Sequence, residues 1–532
     1  MRKNAIILAA GKSNRFAPFT YEKPKGLFVV KGEVLIERQI NQLIESGIDE
    51  IIIVIGYMKE KFFYLEKKFP QVKLLINNTF GKYGNIYSIF TAKDYLKDSF
   101  ICCADHYFVK NPFLNENSSN ISYRATSYLS GSFREFSIKI TDANVISSCA
   151  VGGSDSYAMI GHAYFNKNFS NKFKEYLVNE IDDFGISNMF WEEFYARHIN
   201  ELTLFSKNYD NNDVLEFDTI DELRKFDSDF LLNVDSEIVA NICKILKCKP
   251  NDISDISIIQ AGLTNVSFKF TANKKTFVYR HPGGNSGNLV DRKTEMSVQE
   301  EAKNIGLDKS FIYMDDSGWK ISNYIDNIIE CNLLKNNHQL SQAMEYLHAV
   351  HNIKPTDDMK VFDNYTEGIK LIDLACSTKG NLYKEFGELI SKVKKIDSAL
   401  KKERKKNNIE LTVCHNDVYD PNFIATKEGE LYLIDWEYAG LNDPLNDLCG
   451  IITRYEYSES EKNVFINEYF KGKPNSDELK HLLGQSIISS FYWFCWGLYK
   501  GSVGDDDGFF FLTSYNYLVN NIDDAIKAYT EK

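Results

Sequence analysis

The chain has 532 residues, 44% of them hydrophobic and 26% charged, with a formal net charge of −12. That length exceeds what one hydrophobic core serves, so two or three domains are expected. The acidic balance excludes a broad nucleic-acid or anionic-membrane surface, so phosphate groups must be bound locally, by a few basic side chains and backbone amides.

The start, Met1-Arg2-Lys3-Asn4 and then an apolar run over 5–10, has the charge pattern of a secretory leader. The run is too short for one and reads as a buried strand. No stretch approaches the ~20 apolar residues of a membrane span, so a soluble protein is expected. The ten cysteines show no ligand or disulfide spacing: Cys102 and Cys103 are adjacent, and Cys243 and Cys248 are too far apart for a CxxC. Free thiols in a reducing cytoplasm are the expectation.

Short apolar runs then alternate with helical patterns. Strands are expected over 5–10, 50–55, 72–76 and 100–104, with a helix over 34–47 and an amphipathic segment over 59–69. Runs apolar on both faces and separated by helices indicate a doubly wound α/β domain with a mostly parallel sheet. Between 221 and 249 the pattern turns helical without a Gly/Ser- or Pro-rich linker, and the boundary is set near 235, giving domains 1–235 and 236–532. Strands over 256–260, 266–271 and 276–281 follow, then a helix over 293–305, further strands to 324, and mostly helices from 339. A small sheet-rich lobe before a larger helical lobe outlines an α+β, bilobal, protein-kinase-like fold.

The first strand runs into Gly11-Lys12-Ser13-Asn14-Arg15, with Pro24-Lys25 beyond. A glycine there lets backbone N–H groups near Ala10 and Gly11 approach phosphate oxygens, and Arg15 and Lys25 add charge. Asp105 follows the strand over 100–104, at the edge where open α/β sheets bind ligands. Singly, such a turn is common and such an Asp is usually a cap. The whole run Leu8-Ala9-Ala10-Gly11-Lys12-Ser13-Asn14-Arg15-Phe16 with Lys23-Pro24-Lys25, however, resembles the signature of nucleotidyltransferases that join a nucleoside triphosphate to a sugar or alcohol phosphate. Ser13 and Asn14 depart from it, standing where glycine and threonine are common. The resemblance implies Arg15 and Lys25 as catalytic groups and Asp105 and Asp218 as Mg²⁺ ligands, hard oxygen donors suited to a triphosphate's cation.

It narrows further. Ile76-Asn77-Asn78, Tyr83-Gly84-Asn85-Ile86-Tyr87-Ser88 and Met189-Phe190-Trp191-Glu192-Glu193 are similar to the bacterial CTP:phosphocholine cytidylyltransferases, over about residues 4–230. That implies Asn85 and Ser88 near cytidine and Trp191 in a trimethylammonium pocket. For Trp191 a core aromatic on a helix is an equal alternative. Tyr128, Phe136, Phe190, Glu192 and Glu216 are available to complete the pocket.

The strongest motif is Cys414-His415-Asn416-Asp417-Val418-Tyr419-Asp420-Pro421-Asn422 with Leu433-Ile434-Asp435-Trp436-Glu437. Phosphoryl transfer from ATP to an alcohol needs a carboxylate for the hydroxyl proton and oxygen ligands for Mg²⁺. Asp417 suits the first role, Asn422 and Asp435 the second. The motif resembles the aminoglycoside phosphotransferase and choline kinase family, from about residue 250 to the end. That resemblance implies a phosphate-covering hairpin at Ala261-Gly262-Leu263-Thr264-Asn265, with Gly262, Thr264 and Asn265 on the nucleotide. It also implies Arg280 in the role of the kinase lysine, Glu295 as its ion-pair partner (Glu300 and Glu301 being alternatives), and Asn323 in the hinge beside adenine. Trp493 and Trp496, three apart on a helix, share one face. Their spacing resembles that of choline-binding tryptophans, which hold a cation without N–H donors on aromatic faces. Packing into the core is the rival account. Glu437, Tyr455 and Tyr457 are further candidates for this pocket.

Together the resemblances imply two consecutive steps, ATP-dependent phosphorylation of choline and CTP-dependent cytidylylation of the phosphocholine. The alternatives are ethanolamine or another small amino alcohol as substrate, or one half inactive and serving as a ligand sensor. The expected partners are small molecules, not nucleic acid or membrane, and a homo-oligomer is left open.

Overall fold

The computed structural model describes residues 3–114, 121–259, 266–282, 290–504 and 508–530. It divides into two compact units, Met1–Ile258 with Thr271–Lys274, and Ile259–Phe270 with Lys275–Lys532. Residues 236–258, placed after the boundary in the sequence reading, thus group with the first unit. Their helix Glu237–Leu246 is tied there because the backbone N–H of Ile238 donates to Glu22 at 3.0 Å.

In the first unit, strand Asn4–Ala9 pairs in parallel with Ile51–Ile55 on one side and Ser99–Cys103 on the other, and Ile51–Ile55 continues to Val72–Ile76. Both faces are covered because alternate residues enter different cores. Ala5, Ile7, Ile51 and Ile53 pack with Ile36, Ile40 and Leu43 of helix Leu35–Glu45, whereas Ile6, Leu8, Ile52 and Val54 pack with Ile86 and Ile89. Each fully buried Ile or Leu contributes about 1.5–3 kcal/mol relative to exposure. The chain steps outward from Asn4–Ala9 and then returns to its other side at Ser99–Cys103. That reversal opens a crevice at the carboxyl ends of these two strands.

Beyond Ser99–Cys103 the sheet becomes antiparallel, through the long hairpin of Tyr123–Ile140 and Ile146–Phe165, and Phe205–Asn208 closes the edge in parallel with Tyr123–Ile140. The sequence reading had no strands here. The hairpin carries several register shifts and much of its middle faces solvent, so it lacks a clean alternation.

The second unit contains antiparallel strands in the order Val266–Ala272, Lys275–His281, Lys320–Asn323, Phe311–Met314, with helix Arg292–Asn304 between the second and the last in sequence. A larger helical part follows, including Asn337–His351, Asn364–Lys379, Tyr383–Asn407, Leu445–Arg454, Ser476–Val503 and Gly508–Thr530. Two short antiparallel pairs, Thr412–Cys414 with Gly440–Asn442 and Phe423–Thr426 with Leu431–Leu433, frame the loop that bears Asp417. Among the described residues no helix is long and apolar enough to cross a membrane.

Candidate active sites

In the first unit the crevice gathers the expected groups around Lys25. Its Nζ donates to Asp105 Oδ2 at 2.9 Å and to the carbonyl of Phe217 at 2.6 Å, and lies 4.4 Å from the ring centroid of Phe16. One buried ammonium therefore joins the strand end bearing Asp105 to the segment bearing Asp218. Gly26 makes this approach feasible, since a Cβ there would fall 2.9 Å from Ala104 Cβ. Burial works against ionising Asp105, but Lys25 and His106 prevail and hold it down at about 2. Arg15 pairs with Asp218 at 2.5 Å in a much more exposed setting. Ala10 is buried and its carbonyl accepts from the Tyr57 N–H at 3.1 Å, while Gly11 is open to solvent. Ser13, in the position of the usual second glycine, has φ of 50°, a left-handed conformation that costs a non-glycine residue roughly 1–2 kcal/mol.

Three of the candidate residues make contacts within the fold. Trp191 is core: it is 2% exposed, packs edge-on against Phe165, and has Arg124 over its ring at 5.3 Å. Of the two accounts of Trp191, the core packing is the one these contacts describe. Asn85 is committed within the fold, its Oδ1 accepting from the Trp191 N–H at 2.8 Å, and Ser88 is buried against Asn77 Nδ2 at 3.1 Å. Gly84 brings this loop home, because a Cβ there would lie 2.1 Å from the Met189 carbonyl oxygen.

What sequence reasoning missed is the basic partners of two acids near Asp105, the half-exposed Glu216 and the buried Glu192. His106 Nε2 meets Glu216 at 3.2 Å, and Arg124 meets Glu192 at 3.2 Å. Burial opposes ionisation of Glu216, but His106 outweighs it and lowers its pKa. Burial pushes the Glu192 carboxyl up against the pull of Arg124. His106 and Arg124 are single residues in unremarkable strings, and only the sheet brings them together.

In the second unit the loop around Asp417 is held rigidly. His415 Nε2 donates to the Ile434 carbonyl at 2.8 Å, and the backbone N–H groups of His415 and Asn416 donate to Asp447 at 3.0 and 2.7 Å. The Asp417 carboxylate accepts from Asn422 Nδ2 at 3.1 Å and from Arg454 Nη2 at 2.6 Å. Burial raises its pKa, opposed chiefly by Arg454. Asn422 uses its amide nitrogen here, which leaves Oδ1 for a cation. Asp435 keeps a partly exposed carboxylate, approached at 3.4 Å by Arg280 Nη1. These are hard oxygen donors and fit Mg²⁺, as do the carboxylates of Asp105 and Asp218.

Arg280 pairs with Glu295 at 2.5 Å, so Glu295, not Glu300 or Glu301, is its partner. Burial alone would lower the Arg280 pKa, but Glu295 prevails and raises it. Glu437 lies 3.9 Å from Arg292 and is buried beside this network. Asn323 donates from its backbone to the Ser310 carbonyl at 2.7 Å. It lines, with Ser310, Tyr324, Thr426 and Tyr432, a cavity of about 360 Å³. Gly262, Thr264 and Asn265 lie outside the described residues.

Trp493 and Trp496 are buried, 5.6 Å apart at 69°, and Trp496 Nε1 donates to Tyr438 Oη at 3.0 Å. They belong to the core, yet Trp493 also offers a face to a cation: the Arg454 guanidinium lies 3.8 Å from its centroid. Arg454 and Phe510, which complete this arrangement with Tyr419, carried no motif signal.

Residues 256–517 match the choline/ethanolamine kinase family, and residues 5–128 the MobA-like NTP transferase domain. The chain is 34% identical over 232 residues to a 2-aminoethylphosphonate cytidylyltransferase of Lancefieldella rimae, covering 43% of this chain and 94% of that one. It is 30% identical over 223 residues to a choline-phosphate cytidylyltransferase of Streptococcus pneumoniae, covering 42% and 96%. It is 26% identical over 281 residues to protein LicA of Haemophilus influenzae, covering 51% and 99%. A strand–glycine crevice ringed by Lys25, Asp105 and Asp218, and a separate Asp417–Asn422–Asp435 loop, agree with that division. The chain belongs to the cytidylyltransferase family of nucleotidyltransferases through its first half, fused to a choline/ethanolamine kinase domain in its second.

Proposed function

We propose that this protein makes CDP-choline in two steps, the second unit phosphorylating choline and the first transferring a cytidylyl group to the product. The observation that carries the choline assignment is at Trp493: a cation rests on its ring while bonded to Asp417. An aromatic cation seat and a carboxylate base are thus within the span of one small amino alcohol.

In the kinase step Asp417 accepts the choline hydroxyl proton as the oxygen bonds to the γ-phosphorus of ATP. The bond to the β–γ bridging oxygen breaks and ADP leaves. Arg280, fixed by Glu295, is placed to orient the phosphates, and Asn323 lies at the cavity suited to adenine. In the transferase step a phosphate oxygen of phosphocholine attacks the α-phosphorus of CTP and pyrophosphate leaves, with Lys25 and Arg15 offsetting the charge that develops. Ala10 and Gly11 contribute the backbone that faces the phosphates. Mg²⁺, held by Asn422 and Asp435 in one unit and by Asp105 and Asp218 in the other, would neutralise the phosphates when bound.

Both acidic sets are present, which speaks against one half being a mere sensor. All ten cysteines are unpaired thiols, in keeping with work in the cytoplasm, where ATP and CTP are available. A primary-ammonium substrate is the second reading. It is favoured by the burial of Trp191 in the core and by two carboxylates near Asp105, the buried Glu192 and the half-exposed Glu216, since a primary ammonium prefers carboxylates.

The test is incubation of the pure protein with ATP, CTP, Mg²⁺ and either choline or ethanolamine, with products identified by mass. CDP-choline, pyrophosphate and ADP are expected, with choline the better substrate. Failure to consume either alcohol would overturn the reading, and a preference for ethanolamine would shift it to the second.

A further inference from the structure

We propose that Arg454 is a built-in competitor for the acceptor alcohol and sets how tightly the kinase site takes its cationic substrate, an inference resting on the kinase reading above. Arg454 closes helix Leu445–Arg454 and is 3% exposed. Its guanidinium carbon lies 3.8 Å from the Trp493 centroid and 4.8 Å from those of Tyr419 and Phe510. Its Nη2 donates to Asp417 Oδ1 at 2.6 Å, while Nε and Nη1 are buried without a hydrogen-bond partner among the described residues.

Three aromatic faces thus enclose one permanent cation whose polar partner is the general base. A desolvated cation–π contact stabilises the guanidinium, but each of its unpaired buried donors opposes that gain. The guanidinium is therefore well held on one edge and poorly satisfied on the other. A choline molecule needs the same two features, the Trp493 face for its ammonium and an Asp417 oxygen for its hydroxyl. Having no N–H groups, the quaternary ammonium leaves nothing unsatisfied in the seat. Two cations cannot occupy it together, so choline binds only the fraction of molecules in which Arg454 has withdrawn, and its apparent affinity falls by that fraction.

The experiment compares the full-length protein with Arg454→Ala and Arg454→Lys, measuring choline binding by calorimetry with ADP and Mg²⁺, and then steady-state kinetics. Arg454→Ala should lower the choline Kd and KM at least about fivefold, whatever happens to kcat. Arg454→Lys, which keeps a cation, should fall between. Guanidinium chloride at low millimolar concentration should compete with choline in Arg454→Ala and not in the parent. Should Arg454→Ala fail to fold, Arg454→Gln carries the same comparison. A folded variant with unchanged or weaker choline binding, or one losing kcat alone, overturns the proposal and makes Arg454 a phosphate-stabilising or purely structural group. If the parent neither binds nor phosphorylates choline, it is the kinase reading that fails.

Discussion

Lys25 and Asp105 form a partly buried ion pair, 2.9 Å from Nζ to Oδ2, whose lysine also reaches the backbone beside Asp218. Removing one member of a fully buried pair strands a charge and typically costs about 3–5 kcal/mol, an upper bound for this partly buried one, whereas replacing both partners is far milder. Lys25→Met should therefore lower the melting temperature sharply, and adding Asp105→Asn should restore most of it. Transferase activity should stay low in both variants, because the lysine serves the phosphates as well as the fold. Equal melting temperatures for the single and double variants would mean that the pair is not coupled.

The two chemical centres are built from separate sets of residues, so they should fail separately. Asp417→Asn should cut ADP formation by about 10²–10⁴-fold while leaving CTP-dependent turnover of supplied phosphocholine intact. Asp105→Asn should do the reverse. Assaying each variant with each half-reaction checks this, and loss of both activities in one well-folded variant would refute independent sites.

How far the sequence disclosed these centres depended on the kind of signal each residue carried. Residues tied to a strand end or to a fixed spacing, such as Asp105 after its apolar run and Asp417 five before Asn422, could be picked out by position. Their environments could not. Trp191 looked the same in the chain whether it faced a ligand or Phe165, because a helical aromatic has one face to bury and the sequence does not say against what. Arg454 was invisible for a related reason: it meets Asp417 only because helices Leu445–Arg454 and Ser476–Val503 pack beside the catalytic loop. The parallel strands were legible from continuous apolar runs. The irregular hairpin over Tyr123–Ile140 and Ile146–Phe165 was not, since its register shifts break the two-residue period on which such reading relies.

His481 supplies a pH-dependent tie in the helical part of the second unit. Its Nε2 meets Asp443 at 2.8 Å and its Nδ1 meets Glu403 at 3.0 Å, so both ring nitrogens face carboxylates. Burial alone would lower its pKa, but Asp443, with Glu403, prevails and raises it above the ordinary 6.5. A histidine whose folded pKa is raised contributes stability fully below its unfolded value, and loses that contribution as pH climbs through the folded one. The melting-temperature deficit of His481→Gln should thus be largest at about pH 6 and shrink by about pH 9. A deficit that is flat, or that grows with pH, would show that the imidazole is not held protonated.

Gly84 tests whether the loop before helix Ile86–Thr91 serves the transferase. A methyl group at this position would meet the Met189 carbonyl oxygen at 2.1 Å and the Asn188 carbonyl oxygen at 2.5 Å, both backbone atoms with little freedom to yield. The Gly84 N–H also donates to the Ser187 carbonyl at 2.9 Å, so loop and partner segment are joined along their backbones. Gly84→Ala must push them apart, at a cost of about 1–3 kcal/mol. The displacement would loosen Asn85 from the Trp191 N–H and, through it, the wall of the crevice. If Asn85 and Ser88 stand near the cytidine, as the family resemblance implies, KM for CTP should rise severalfold while choline phosphorylation is unchanged. Unaltered CTP kinetics in a variant with a measurably lower melting temperature would place the nucleotide elsewhere in the crevice.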